Sequence, residues 1–557
     1  MRRRDLIRLG VLFACTWSWF GCSSGSGSGD RPPVRTEIQI PVPLADEESD
    51  PFRGDPQPGA DLVFALGHAV DPAHAPVPYN DSERMVFRNF YETLVEVDCA
   101  GEIHPGLAIR WESREDHRTW IFTLRNGVRF WDGSILQAAD IKQSWIEVQH
   151  EPEPPGHHSP LIWLNARAKS VKVLDPRRLA ITLPEPQMDF PLLLAHPALA
   201  VARSRPGWHW PVGTGPCHPA PEATVPDPDL VCLGHESHRQ PPIWNSLTFR
   251  ILPAADPRDI LGSECDVLLV RERGELQYFE RAPGIQTTPL PWDHLYLLLC
   301  PEEAPEVARQ RWYTGWHRID LARDVPAAAA RPASAPFFQT PTEKLCPQLT
   351  GPVESLPWPK LSGDSRTVSF DEDLILYPES DPNAQHLAER LAALAAQPLR
   401  PGPQRPGRGA LQPPNQPAPG ALPEAMALSW PEIAGAVQSA RAGAYVVPWT
   451  REYASACLQL AALLSSAQWL QTAALASTVH GGNYPPGVRA GNPRDDTDLA
   501  EVTEAANRLE RRGVVVPLIV TRPFLVATGR LAGIRLAYDG TLLLSGAGWI
   551  SQTGSRP

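Results

Sequence analysis

The sequence predicts an α/β fold, and three observations carry that prediction. Asp61-Leu62-Val63-Phe64-Ala65-Leu66 is a short apolar run of the length of a buried strand. Trp120-Ile121-Phe122-Thr123-Leu124-Arg125 alternates large apolar with smaller or polar residues at period two, as a half-buried strand does. Between and after these runs the pattern turns helical, over Ser82 to Tyr91 and again after Asp140, where Ile141 and Trp145 share one face.

The stretch from Asn89 to Trp145 is the most informative. It reads as a helix end, a hairpin, a polar turn, a second hairpin and a helix. Asn126-Gly127 accepts positive φ and predicts a tight turn, after which Val128 to Trp131 resumes the strand until Asp132-Gly133 ends it. The order of these parts resembles the signature of the family 5 extracellular solute-binding proteins, the peptide- and nickel-binding receptors of ABC importers. The resemblance rests on Tyr91-Glu92-Thr93-Leu94-Val95, on Pro105-Gly106-Leu107-Ala108 with Trp111, on Trp120 through Gly133, and on Ala139-Asp140-Ile141. It implies a two-lobed periplasmic-binding-protein fold (type II, cluster C-like) with an extra subdomain and a discontinuous first lobe.

Further segments extend the resemblance. Asp71-Pro72-Ala73-His74 is similar to the loop that such receptors place after their first strand. Val171 to Leu183 reads as a hairpin turning at Asp175-Pro176, and it is followed by Glu185-Pro186 and an apolar stretch from Phe190. Gly213-Thr214-Gly215-Pro216 resembles the family's turn where the chain returns to the first lobe, glycine supplying backbone freedom there. Leu247 to Leu252 and Cys265 to Leu269 continue that lobe. After Cys300 the resemblance fades to Arg309–Arg323, with Ile319-Asp320 its best-kept pair. Helices are predicted at Trp430 to Arg441 and Tyr453 to Gln471. Closing strands are predicted at Val514 to Leu518 and Gly533 to Gly540. The domain reading is therefore a first lobe from 58–80, 205–295 and 514–557, a subdomain at 81–204, and a second lobe at 296–513 with a Pro-rich insertion at 397–424.

The N-terminus reads as an export signal over 1–22 followed by a flexible tether over 23–57. Arg2, Arg3 and Arg4 precede an apolar run from Leu9 to Phe20, too short for the roughly 20 apolar residues of a permanent span. Gly21-Cys22 before a Ser/Gly tract resembles a lipoprotein cleavage site with Cys22 acylated, although Trp19 and Phe20 are bulkier than such sites usually carry. Arg3-Arg4-Asp5-Leu6-Ile7 resembles the twin-arginine export motif. The chain is thus expected to be exported to the periplasm or cell envelope and held to a membrane by its lipid; a plain signal peptide or an uncleaved anchor is the alternative, and export is expected either way.

A net charge of -12 without a basic stripe excludes nucleic acid as the expected partner. Nine cysteines in an exported chain allow disulfides, and Cys217 and Cys232 bracket a Pro-rich loop that one bridge would close. No Cys/His zinc spacing and no GxxxxGK[ST] phosphate loop is present. Gly21-Cys22-Ser23-Ser24-Gly25 fits GxSxG only in the tether, and His235-Glu236-Ser237-His238 has its histidines three apart where HExxH needs four. No catalytic constellation, metal site or cofactor is expected. The histidine pairs His68/His74 and His157/His158 read as surface or loop residues.

Eighteen tryptophans stand out. An indole offers a broad apolar face and one N–H, suited to stacking on a ligand. The resemblance places Trp292, Tyr296, Trp430 and Trp449 beside an interlobe cleft, with Asp71 in the loop after the first strand. Peptide-binding members commonly hold the ligand's amino end with an Asp late in the second lobe. Ala444 to Glu452 has none, and leaves Arg451 for a carboxylate and Glu452 for an amine. The expected function is the binding component of an ABC importer, non-enzymatic, which captures a peptide or similar small solute and delivers it to a permease. The alternative is a degenerate lipoprotein that uses this fold as an envelope interaction or scaffold module.

Overall fold

The computed structural model describes residues 51–99, 101–114, 117–148, 170–183, 190–220, 223, 229–253, 255–301, 306–313, 316–336, 338, 371–396, 422–454, 456–465, 507 and 509–550. The export signal, Cys22, most of the tether, Glu185-Pro186, His157/His158 and nearly all of the Pro-rich insertion lie outside the described residues.

Among these residues two large mixed sheets form the two lobes. In the first, strand Asp61–Leu66 lies parallel to Ser246–Ile251 on one side and to Val267–Val270 on the other. Antiparallel strands extend it outward, Asp229–Gly234 and Cys217–Pro219 at one edge, Phe524–Ala527 and Gln286–Pro289 at the other. Phe64, Leu62, Leu247 and Phe249 fill one face together with Val86, Phe87 and Phe90 of helix Asp81–Phe90. Leu268, Val270, Leu276 and Phe279 fill the other.

The second sheet centres on His294–Leu299 between Val515–Arg522 and Ala442–Thr450. Asp371–Pro378 lies parallel to Ala442–Thr450, and Glu424–Leu428 lies parallel to Asp371–Pro378. Near-continuous burial along Val515–Arg522 and His294–Leu299 follows from apolar cover on both faces. One outer layer is helix Pro382–Ala395, started by Asp381, whose carboxylate accepts the Asn383 and Ala384 amides at 2.9 Å each.

Among the described residues the chain passes between the sheets in two neighbouring antiparallel segments, Leu290–Asp293 outward and Pro523 on the return. Pro289 faces Phe524 in the first sheet and His294 faces Thr521 in the second. The Leu290 amide donates to Pro523 O at 3.1 Å and the Asp293 amide to Thr521 O at 3.2 Å. Strand Val515–Arg522, placed in the first lobe on sequence, therefore belongs to the second. The reason is pairing: seven of its eight residues face His294–Leu299 or the edge strand Ala329–Pro332, with Leu518 at a register shift, and only Phe524 onward rejoins the first sheet.

A four-stranded antiparallel sheet builds the subdomain in the order Ala108–Ser113, Thr119–Leu124, Arg178–Thr182, Ser170–Asp175. The strand over Trp120–Leu124 is where the alternation predicts it, with Trp120, Phe122 and Leu124 buried. Its partner is not the segment after Asn126-Gly127. Val128–Trp131 turns away, tied to the residues just beyond Gly133 by a bridge between Arg129 and Ile135, and the ladder is completed by 108–113 and 178–182. Arg203 holds this departure in place, reaching Asp132 at 3.0 Å and Asp140, on helix Ala138–Val148, at 3.4 Å.

Gly213 and Gly215 serve close approach and not a swivel. A Cβ on Gly215 would lie 2.5 Å from the Phe90 carbonyl, and one on Gly213 would lie 2.5 Å from the same oxygen and 2.8 Å from the Trp131 ring. Cys217 and Cys232 are thiols on adjacent strands; Cys217 faces Gly234 and Cys232 faces Pro219, so they stand diagonal to one another instead of opposite.

Candidate functional site: a cleft between the two sheets

Both sheets aim the carboxyl ends of their parallel strands at one cavity of about 820 Å³. From the first come Gly67 and His68 after Asp61–Leu66, Leu252 after Ser246–Ile251, and Arg271 after Val267–Val270. From the second come Asp381 after Asp371–Pro378 and Trp449, Thr450 and Glu452 at the end of Ala442–Thr450. That is where open α/β sheets gather ligand-binding groups, because loops leaving parallel strands at that end are free to diverge. The volume lies within the roughly 300–1,000 Å³ of small-molecule sites. Its walls are largely aliphatic, with Leu268 and Leu269 facing Leu297, Val447, Ile433 and Leu463.

The start of helix Asp81–Phe90 forms one rim. Asn80 caps it, accepting the Glu83 amide at 2.9 Å. The buried Glu83 carboxylate gathers the preceding loop by accepting the Asp71 and Tyr79 amides at 3.1 and 2.7 Å, with His74 Nδ1 2.7 Å away. This fixes Asp81 and Arg84 at the cavity. Arg271 Nη2 lies 2.8 Å from Asp81 and 2.8 Å from Asp293, and its Nη1 is 3.1 Å from His294 Nδ1. Burial alone would raise the Asp81 carboxyl, but Arg271, His294 and Arg84 outweigh it and hold it well below the usual carboxylate range. Asp293 is lowered in the same way by Arg271 and His294 against its burial. Arg84 also reaches across to Glu452 at 3.3 Å. On the first lobe's wall, Glu275 is pushed up to about 7 by burial, with Glu272 and Asp256 adding repulsion.

Three of the residues expected at the cleft line it: Tyr296, Trp449 and Glu452. Tyr296 is buried and its hydroxyl donates to Asp381, so it braces the wall more than it offers a free polar group. Trp292, Asp71 and Arg451 are not among the lining residues. Trp292 stands in the outgoing crossing, with the guanidinium groups of Arg331 and Arg522 at 4.4 and 4.7 Å from its ring. Asp71 turns to solvent as the cap of the turn Pro72–His74, accepting the Ala73 amide at 2.9 Å. Arg451 points away from the cavity and lies over Phe338 at 5.9 Å. Trp430 opens helix Trp430–Gln438, and its side chain is outside the described residues.

Sequence reading missed Asp81, Arg84, Arg271 and Asp381. Arg271 had a usable signal, a charged residue directly after the apolar run Val267–Val270. Asp381 had one too, preceding Pro382 as a helix cap. Asp81 and Arg84 had none, being charges at the start of an ordinary amphipathic helix. For metal, the described residues bring together Asp98, Glu102 and His104, whose ligand atoms lie within 4.8 Å of one another on a solvent-facing hairpin outside the cavity. His74 is engaged by Glu83 and His68 stands on the cavity wall, so that pair does not form a shared site.

Comparison with known proteins agrees with this architecture. Residues 102–217 match the model for bacterial extracellular solute-binding proteins, family 5 middle. Over 168 residues the chain is 32% identical to the glutathione-binding protein GsiB of Salmonella typhi, an alignment spanning 28% of this chain and 31% of that one. The chain thus aligns with about a third of the length of the curated relatives it matches. Among solved structures, the murein tripeptide binding protein MppA of Escherichia coli superposes with a TM-score of 0.60 at 17% identity, covering 90% of this chain and 100% of that one. NikA of Brucella suis, in complex with Fe(III)-EDTA, gives 0.62 at 16% over 88% and 100%. DppA of Helicobacter pylori, in complex with the peptide STSA, gives 0.63 at 15% over 89% and 99%. At these identities the structural likeness is one of fold.

Proposed function

We propose that this chain, which belongs to the family 5 extracellular solute-binding proteins, is the binding component of an ABC importer. It captures a peptide or similar small solute between its lobes and hands it to a permease. One observation carries this reading: a cavity of about 820 Å³ lined from both sheets, at the carboxyl ends of their parallel strands, with only two neighbouring segments joining the lobes among the described residues. Two short crossings allow the lobes to hinge, and a solute touching both favours the closed form by as much as it binds that form better. The family is one of solute-binding, non-catalytic transport proteins, and no covalent step is assigned to this chain. A formed cavity also speaks for a receptor over a scaffold that has lost its ligand.

The relatives are periplasmic or extracellular solute-binding proteins. For this chain the proposal adds export by its N-terminal signal, a lipid on Cys22 as the membrane anchor, and docking of the closed lobes on permease subunits. Among the described residues no helix is long and apolar enough to cross a membrane. The decisive experiment purifies the mature protein, identifies co-purifying small molecules by mass spectrometry, and measures thermal shifts against peptide, sugar and nickel-chelate panels. A co-purifying solute that raises the melting temperature is the expected result. No such solute and no shift in any panel would refute the proposal.

A further inference from the structure

Arg84 and Glu452 meet across the cleft. Arg84 stands on helix Asp81–Phe90, whose apolar face packs into the first lobe, and Glu452 lies just past the last strand residue of Ala442–Thr450 in the second. One guanidinium nitrogen lies 3.3 Å from Glu452 Oε1 and another lies 3.7 Å from Asp81 Oδ1. Glu452 Oε1 also accepts the Thr450 hydroxyl at 2.9 Å, and Glu452 O accepts the Tyr538 hydroxyl at 2.6 Å, so the carboxylate is held in position. Asp81 is closed from its other side by Arg271. All four charged side chains line the cavity.

An acidic side chain facing a ligand cleft is the natural partner of a ligand ammonium. Here the protein itself fills that place. Arg84, with 13% of its side chain exposed, neutralises Glu452 and part of Asp81, and it is in turn neutralised by them. A ligand ammonium near Glu452 would have to displace a largely buried guanidinium or accept it as a like-charged neighbour. Glu452 is thereby already paired, and the additional carboxylate of the cluster, Asp293, lies against Arg271 and outside the cavity lining. From this geometry we infer that Arg84 is a specificity-determining residue, which restricts the cleft to solutes whose amino end is acylated or absent. The inference rests on the receptor reading and names the substrate class of that same cavity.

Isothermal titration of the full chain with a panel of dipeptide amides, each supplied with a free amino end and as its N-acetyl form, tests this. The expected result is that acetylated probes bind at least tenfold more tightly than their free-amine partners. In Arg84→Gln and Arg84→Met that ratio should fall toward one or invert, because Glu452 and Asp81 then accept the ammonium. Adding Glu452→Gln to either variant should remove the gained amine affinity. Thermal melts select whichever Arg84 variant is folded. Tighter binding of free amines by the unaltered protein, or an acetyl-to-amine ratio unmoved in a folded Arg84 variant, overturns the inference while leaving the receptor reading intact. If no member of either series binds while another solute does, the inference also fails and the receptor stands. If no solute of any class binds, both fail.

Discussion

Asp539 offers a demanding test of what locks the closing segment onto the first lobe. Arg88, one turn beyond Arg84 on the same helix, directs Nε and Nη2 at Asp539 Oδ2, 3.3 and 3.1 Å away, and the Asp539 side chain is 0% exposed. The other carboxylate oxygen accepts the Thr541 amide at 3.1 Å. At 3.1 Å and an effective dielectric of about 20 the direct attraction is about 5 kcal/mol, offset by the desolvation of both ions. Asp539→Ala removes the attraction but leaves Arg88 desolvated, so a loss of about 3–5 kcal/mol is expected. Replacing both partners, as Arg88→Met with Asp539→Leu, removes the stranded charge and should recover most of that loss. Urea unfolding followed by tryptophan fluorescence measures each variant. A single-variant loss below about 1 kcal/mol, or a double variant no better than the single, would refute the reasoning. The pH dependence gives a second readout. Burial works to raise the Asp539 carboxyl, but Arg88 and Arg84 outweigh it and depress its folded value. A depressed acid contributes stability that is complete above its unfolded pKa, near 4, and is lost as pH falls through the folded value. Asp539→Ala should therefore flatten the acid limb of the stability curve.

Other contacts give further expected outcomes. Gly215→Ala drives a methyl to within 2.5 Å of the Phe90 carbonyl and should cost about 1–3 kcal/mol or more in urea unfolding; a neutral result would mean this turn can move away from the helix end. Glu275, raised to about 7, binds its proton more tightly folded than unfolded, so it subtracts stability as pH rises from its unfolded value toward 7 and nothing further above that. Glu275→Gln should remove that slope from thermal melts taken between about pH 4 and 8, and an unchanged slope would count against a buried carboxyl there. Trp292→Ala removes a ring flanked by Arg331 and Arg522 beside the crossing; a loss of about 1–2 kcal/mol is expected from its two cation–π contacts, read by urea unfolding.

Legibility along the chain tracked the range of the interactions. The strands at 61–66 and 120–124, the helix at 81–90 and the hairpin turning at Asp175-Pro176 were readable because each is set by its own periodicity or turn chemistry. The wrong partner for Thr119–Leu124 has the opposite cause: Asn126-Gly127 specifies a turn, but Arg203, more than 60 residues later in the chain, decides which way the chain leaves it. Gly213 and Gly215 suggested freedom of backbone rotation, whereas the need is space against Phe90, which no local pattern announces. At the cleft, Tyr296 and Trp449 were placed by the resemblance, and Glu452 by the segment where peptide-binding members carry an Asp. Arg84 was not, since its partner Glu452 lies 368 positions away.

The sequence by itself determined an α/β chain with the family's order of strands and turns and a charge pattern unsuited to nucleic acid. It did so because strand alternation, helix caps and tight turns are local and survive divergence elsewhere. Only the tertiary structure decided that Val515–Arg522 belongs to the second lobe, that among the described residues two segments side by side join the lobes, and that Asp81 and Glu452 at the cleft are already paired. Sheet order and ion pairing depend on which distant segments meet, and alternation along one strand carries no record of its neighbour. The carboxylate at 452 looked from its sequence like a partner for a ligand amine; folded, it faces Arg84.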